Sequence, residues 1–245
     1  IELKMQEQKD RSKMQSKMRG DVFSGEELYA RFKETDFLGY GKNILKAKIV
    51  GIIKEGKIVT RISQGQYGTI ILDKTVFYPE SGGQIGDSGK IFKSRSFFEV
   101  TDTKKIGKII IHIGKVNSGS FKKGDSVELK IDVERRMAIA RNHTATHILQ
   151  SVLRRILGEH VQQQGSLVSY DKLRFDFTHF KDIKEDELGR IEEKVNEHIL
   201  DNLPLISKIE SLSSARKHGA LAFFGEKYEN RVRMISIGDI SKELC

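Results

Sequence analysis

Hydrophobic positions along the 245 residues fall into three textures. Residues 1–39 carry few of them: from Ile1 to Met18 Gln, Lys, Met and Glu predominate and no core-facing stripe emerges. These are good helix formers, so the segment reads as a helical connector rather than a self-contained unit. From Gly41 to about Ile131 short runs rich in Ile, Val, Phe and Thr take over: Ala47–Ile53, Lys57–Ile62, Thr69–Tyr78, Phe97–Thr103, Lys108–Val116 and Ser126–Ile131. Gly56, Gly65, Gly89, Gly107, Gly119 and Gly124 punctuate them. Closely spaced strands separated by turn residues predict a small antiparallel β-barrel over residues 40–131.

The period changes at Asp132. Asp132–Leu157 reads as one long helix, capped by Asp132 and stopped by Gly158, with Met137, Ala140, Thr144, His147, Ile148, Leu149, Val152 and Ile156 near one face. Leu173, Phe175 and Phe177 alternate with charged neighbours as in a strand. Lys184–Asn202 forms a second amphipathic helix through Leu188, Ile191, Val195 and Ile199, closed by Pro204. A short helix near 213–222 and a strand at Val232–Ile237 complete an α+β domain over residues 132–245. The fold class is therefore α+β: a barrel followed by an α+β domain built on a long helix.

Composition narrows the setting. No run approaches the roughly 18 apolar residues of a membrane span, and Ile1 to Gly20 has no apolar centre of the kind a signal peptide needs. A single cysteine, Cys245, excludes an internal disulfide framework and suits a reducing cytoplasm. The net charge is +9, and from Asp36 to Lys130 there are 17 lysines and arginines against 9 acidic residues. That excess suits a polyanionic partner, and it equally suits a solvated lysine-rich face.

His143 and His147 form an H-x-x-x-H pair in the long helix. Four residues advance a helix by about 400° and roughly 6 Å, so both imidazoles leave one face a turn apart. They can share a metal, or they can be two partly buried, hydrogen-bonded histidines. Thr144 stands where a metallopeptidase of this spacing places its glutamate base, which argues against peptidase chemistry. The run from Tyr78 to Asp87 is glycine-dense, and Gly82, Gly83 and Gln84 within it suit either close main-chain approach to a ligand or a tight hairpin turn. Gln163, in a run of three glutamines, can orient a water or read a hydroxyl, or belong to a solvated loop.

Six segments together resemble the editing region of alanyl-tRNA synthetases: Phe77 to Gln84 (FYPESGGQ), Arg141 to His147 (RNHTATH), Val161 to Val168 (VQQQGSLV), Leu173 to Phe177 (LRFDF), Phe224 to Tyr228 (FGEKY) and Glu243 to Cys245 (ELC). They occur in the family's order over about residues 40–245, and residues 1–35 resemble its connector from the aminoacylation half. The resemblance implies that His143, His147 and Cys245 are zinc ligands, with a fourth histidine beyond the cysteine. It implies that Thr146 and Gln163 line the amino-acid pocket and carry catalysis, with Gly82, Gly83 and Gln84 in the same cleft. The implied activity is hydrolysis of the aminoacyl ester on mischarged Ser-tRNA(Ala) and Gly-tRNA(Ala), with the tRNA acceptor end as partner and neither DNA nor membrane. The parent enzyme would join alanine to tRNA(Ala) using ATP.

Such a second site answers a physical problem. A pocket shaped for alanine rejects glycine or serine by only about 1–3 kcal/mol, so errors need hydrolytic removal. The alternative is a tRNA-binding module whose zinc is purely structural.

Overall fold

The computed structural model describes residues 31–221 and 230–244, so most of the expected connector, the Phe224–Tyr228 segment and Cys245 lie outside the described residues. The chain forms two compact units. The first runs to Pro79 and resumes over Gly86–Asp132; the second comprises Glu80–Ile85 and Val133–Cys245.

The first unit is a closed six-stranded antiparallel barrel. Its staves are β2 (Ile44–Lys54), β5 (Tyr67–Leu72), β7 (Gly89–Lys93), β8 (Ser96–Ile106), β9 (Ile109–Ser118) and β11 (Ser126–Ile131). Their order is β11-β7-β8-β9-β5-β2, and β11 pairs again with β2 to close the ring. Short strands β1 (Asp36–Phe37) and β6 (Lys74–Thr75) pair beside it, as do β4 (Arg61–Ser63) and β10 (Ser120–Lys122). The remaining strand, β3 (Lys57–Ile58), returns on β2 through a turn with Glu55 and Gly56 both at positive φ, the geometry that matches strand twist.

Period-two alternation fills the barrel. Along β11 the buried residues are Val127, Leu129 and Ile131, with polar residues between them. They join Ile49, Ile52, Ile70, Leu72, Ile91, Phe98 and Phe121 in one core, as expected for a small barrel packed by its own side chains. Strand β9 instead buries four consecutive residues, Ile109 to His112. One reason is a second cluster, in which Ile53, Ile71, Ile109 and Ile111 pack with Phe32. The other is His112, wholly buried against the Phe77 ring. Sequence texture missed β7 and β10, which are too short to show a period.

In the second unit α1 (Val133–Leu157) is followed by the hairpin of β12 (Gln163–Val168) and β13 (Leu173–Phe177), then α2 (Glu185–Leu200), β14 (Leu205–Ser211), α3 (Leu212–Lys217), β15 (Arg231–Ile237) and β16 (Ser241–Leu244). The last three strands form an antiparallel sheet in sequence order. Ile148, Val152, Leu153, Val161, Ile191, Ile235 and Ile237 form the core, with Phe175, Phe177 and Val195 against it.

Three details differ from the sequence expectation. Met137 and Ala140, placed on the inner face of α1, are exposed, whereas Ile139, Thr146 and Gln150 are buried. On α2 Leu188 and Ile199 are exposed, because only the middle turns bearing Ile191 and Val195 pack on the core. The glycine loop, read as part of the barrel region, belongs to the second unit because Gly83 and Ile85 hydrogen-bond to Val168.

Candidate functional site

Helix α1 supplies the centre. The i, i+4 spacing places the His143 and His147 rings 5.0 Å apart between centroids and within 12° of parallel. His147 is buried and His143 half-buried. Each ring has an oxygen on its Nδ1. For His143 it is the amide Oε1 of Gln84, at 2.7 Å. For His147 it is a carboxylate oxygen of Glu243 on β16, a residue only 1% exposed.

The glycine loop places Gln84. Ser81 and Gln84 exchange both backbone hydrogen bonds around Gly82 (φ +57°) and Gly83 (φ +80°), so the tight turn and the functional reading of this loop are one structure. Gly83 also presses on β12: a Cβ there would sit 2.1 Å from Ser166 Oγ and 2.7 Å from its carbonyl oxygen. The Gly83 carbonyl accepts from Val168 N–H and Ile85 N–H donates to the Val168 carbonyl, which docks the loop along β12. At Gly82, by contrast, nothing lies within 4 Å of where a Cβ would project.

Strand β12 connects Gln163 to the same cluster. Gln163 Nε2 donates to Ser166 Oγ at 3.2 Å, beside a register irregularity between Gln163 and Gly165. The sequence left Gln163 between a solvated loop and a site residue; it begins a strand and is half-buried. On α1 the Thr146 hydroxyl donates to the Asn142 carbonyl at 2.8 Å, and Asn142 Nδ2 holds the Ser169 carbonyl at 2.9 Å in the β12–β13 turn.

The structure thus brings His143, His147, Gln84, Gly83 and, through Ser166, Gln163 into one connected set. Thr146 shares the helix, and Cys245 is not among the described residues. Glu243, Ser166 and Asn142 were not singled out from sequence. All three lie within the quoted segments, ending at Cys245, running from Val161 to Val168 and beginning at Arg141, but nothing in one sequence separates them from their neighbours.

Among the described residues no group of three or more His, Cys, Asp or Glu is arranged to hold a metal. The donor chemistry of the pair nevertheless fits a borderline cation such as zinc. Two stacked imidazoles one turn apart, each with Nδ1 engaged by an oxygen, match the pattern of histidines that ligate through their other nitrogen. Glu243 adds a buried carboxyl group, and its partner among the described residues is the His147 ring. No helix among those residues is long and apolar enough to cross a membrane.

Comparison with known proteins finds sequence relatives along the whole chain. Residues 1–135 match the family described as tRNA synthetases class II (A). Over its full length the chain is 45% identical to the alanine–tRNA ligase of Idiomarina loihiensis, covering 28% of that protein. It is 43% identical to that of Legionella pneumophila strain Paris over 98% of the chain and 28% of the relative. For the Acetivibrio thermocellus alanine–tRNA ligase the figures are 46%, 90% and 26%. The chain therefore spans little more than a quarter of the relatives it matches, and it belongs to the class II (A) tRNA synthetase family.

Proposed function

We propose that this chain carries an editing site that hydrolyses the ester of tRNA(Ala) bearing serine or glycine, within a parent enzyme that joins alanine to that tRNA using ATP. The observation that carries the reading is the connected set of His143, His147, Gln84 and Gln163 around α1 and the glycine loop. The names of its relatives supply the amino acid.

His143, His147 and Cys245 would hold zinc, which when bound supplies positive charge to position the substrate or polarise its ester. An aminoacyl ester is already activated, so the protein mainly has to orient water and substrate. Gln163 donates through Nε2 to Ser166, which leaves Oε1 to accept a hydrogen bond from the attacking water and orient it. Thr146 donates its proton to the Asn142 carbonyl, so its oxygen serves as an acceptor for the serine hydroxyl. Alanine cannot make that bond, and a site built around it favours the misacylated tRNA. Gly82 offers a bare stretch of main chain to the amino-acid end.

The test is single-turnover deacylation of Ser-tRNA(Ala), Gly-tRNA(Ala) and Ala-tRNA(Ala) by the zinc-supplied chain and its His143→Ala variant. Rapid hydrolysis of the first two, lost in the variant with its circular dichroism intact, is expected. Tight tRNA binding without deacylation would favour a binding module with a structural zinc instead.

A further inference from the structure

We infer that Gln84 and Glu243 are positioning residues: each holds the proton of one histidine on Nδ1, so that both Nε2 lone pairs are presented to a shared cation. The inference rests on reading His143 and His147 as metal ligands.

The chemistry of the acceptors decides the tautomer. A neutral imidazole has one N–H and one lone pair, and whichever nitrogen faces a pure acceptor must carry the hydrogen. An ionised carboxylate is acceptor-only, so His147 facing Glu243 carries its hydrogen on Nδ1. The Gln84 oxygen is likewise an acceptor, and at 2.7 Å it fixes the hydrogen of His143 on Nδ1 as well. Two different side chains on two different elements therefore impose the same tautomer on two stacked rings.

Both positioning groups are themselves held. Glu243 Oε1 accepts from Ser241 Oγ at 3.0 Å, so each of its oxygens is used although the residue is almost wholly buried. Among the described residues no Lys or Arg pairs with it. The backbone of Gln84 is held by the Ser81 turn and by the packing of Gly83 on Ser166. The glycine loop, on this view, acts on the metal ligand rather than on the substrate through Gln84.

The experiment measures zinc affinity by competition with a chromophoric chelator, and reads the tautomers from long-range nitrogen–proton NMR spectra of the zinc-bound chain. Glu243→Ala and Gln84→Ala should each weaken zinc by roughly 10- to 100-fold, the usual effect of removing a second-shell partner. Glu243→Gln keeps an acceptor oxygen and should recover part of the loss. The spectra should show hydrogen on Nδ1 and metal on Nε2 for both histidines. Because Glu243 is almost wholly buried, Gln84→Leu, close in size to the glutamine, provides a second variant. Unchanged zinc affinity in the folded Gln84 variants, or metal on Nδ1 of either histidine, overturns the assignment. Absence of zinc uptake by the unaltered chain defeats the metal reading itself, and the positioning roles with it.

Discussion

The backbone of Gly83 lies so close to Ser166 that a single added carbon would fall 2.1 Å from the serine Oγ. That contact, with φ at +80°, makes position 83 a tight constraint on the loop that carries Gln84. Gly83→Ala should destabilise the second unit by about 2–3 kcal/mol, since the left-handed conformation alone costs roughly 1–2 kcal/mol for an L-residue and the clash adds to it. Gly82→Ala, at φ +57° with open space around it, should cost only the conformational part. Denaturant unfolding of the two variants side by side tests the difference, and equal losses would mean that the Ser166 contact is unimportant.

Burial pushes the His112 pKa down from 6.5 to about 4, partly offset by the Ile70 carbonyl that its ring faces. Nδ1 donates to that carbonyl at 3.0 Å and Nε2 accepts from the Thr75 hydroxyl at 2.8 Å, so the neutral ring is fully satisfied. The unfolded chain binds this proton more readily than the folded one. The contribution is therefore fully present above pH 6.5 and declines as pH falls toward 4, by about 3 kcal/mol in all. His112→Leu should be less stable at pH 7 yet lose this part of the slope. Parallel stability curves for the two proteins between pH 7 and 4 would contradict it.

Thr146→Val keeps the shape of a buried side chain but removes the acceptor proposed for the serine hydroxyl. Hydrolysis of Ser-tRNA(Ala) should fall roughly 10-fold, the value of about one hydrogen bond, while Gly-tRNA(Ala) hydrolysis and zinc content change little. Thr146→Ser should restore the lost activity. Equal losses on both substrates would show that the hydroxyl does not read the serine.

The barrel segment, residues 36–130, holds nearly all of the net positive charge, 17 lysines and arginines against 9 acidic residues, and its exposed Tyr67 ring lies under the Lys115 ammonium. If this unit contacts tRNA phosphates, reversing the charge of four exposed lysines among residues 42–115 should weaken binding and flatten its dependence on salt. Filter-binding affinities across a salt series measure both. An unchanged slope would move the RNA contact elsewhere.

The barrel was legible because its strands are short β-branched runs set off by glycine turns, such as that at Gly107, and some, such as β11, alternate with period two. Strand β14 was not: its residues Leu205, Ile206 and Ile209 are exposed, so burial imposed no alternation for a reader to find. The histidine pair was legible from helical spacing alone. Its partners were not, because Gln84 lies 59 residues from His143 and Glu243 lies 96 residues from His147. Spacing along the chain carries information about neighbours within one element, and nothing about which distant acceptor a ring will meet.

The detour of residues Glu80–Ile85 into the second unit separates two kinds of modularity. Cutting after Asp132 would look like a clean boundary on a linear map, yet it would strand Gln84 on the wrong piece. A gene segment beginning at Val133 could move to a new setting with both histidines and still arrive without the residue that aims one of them. Any cut that keeps His143 together with its Gln84 acceptor must also keep the barrel into which residues 80–85 are spliced.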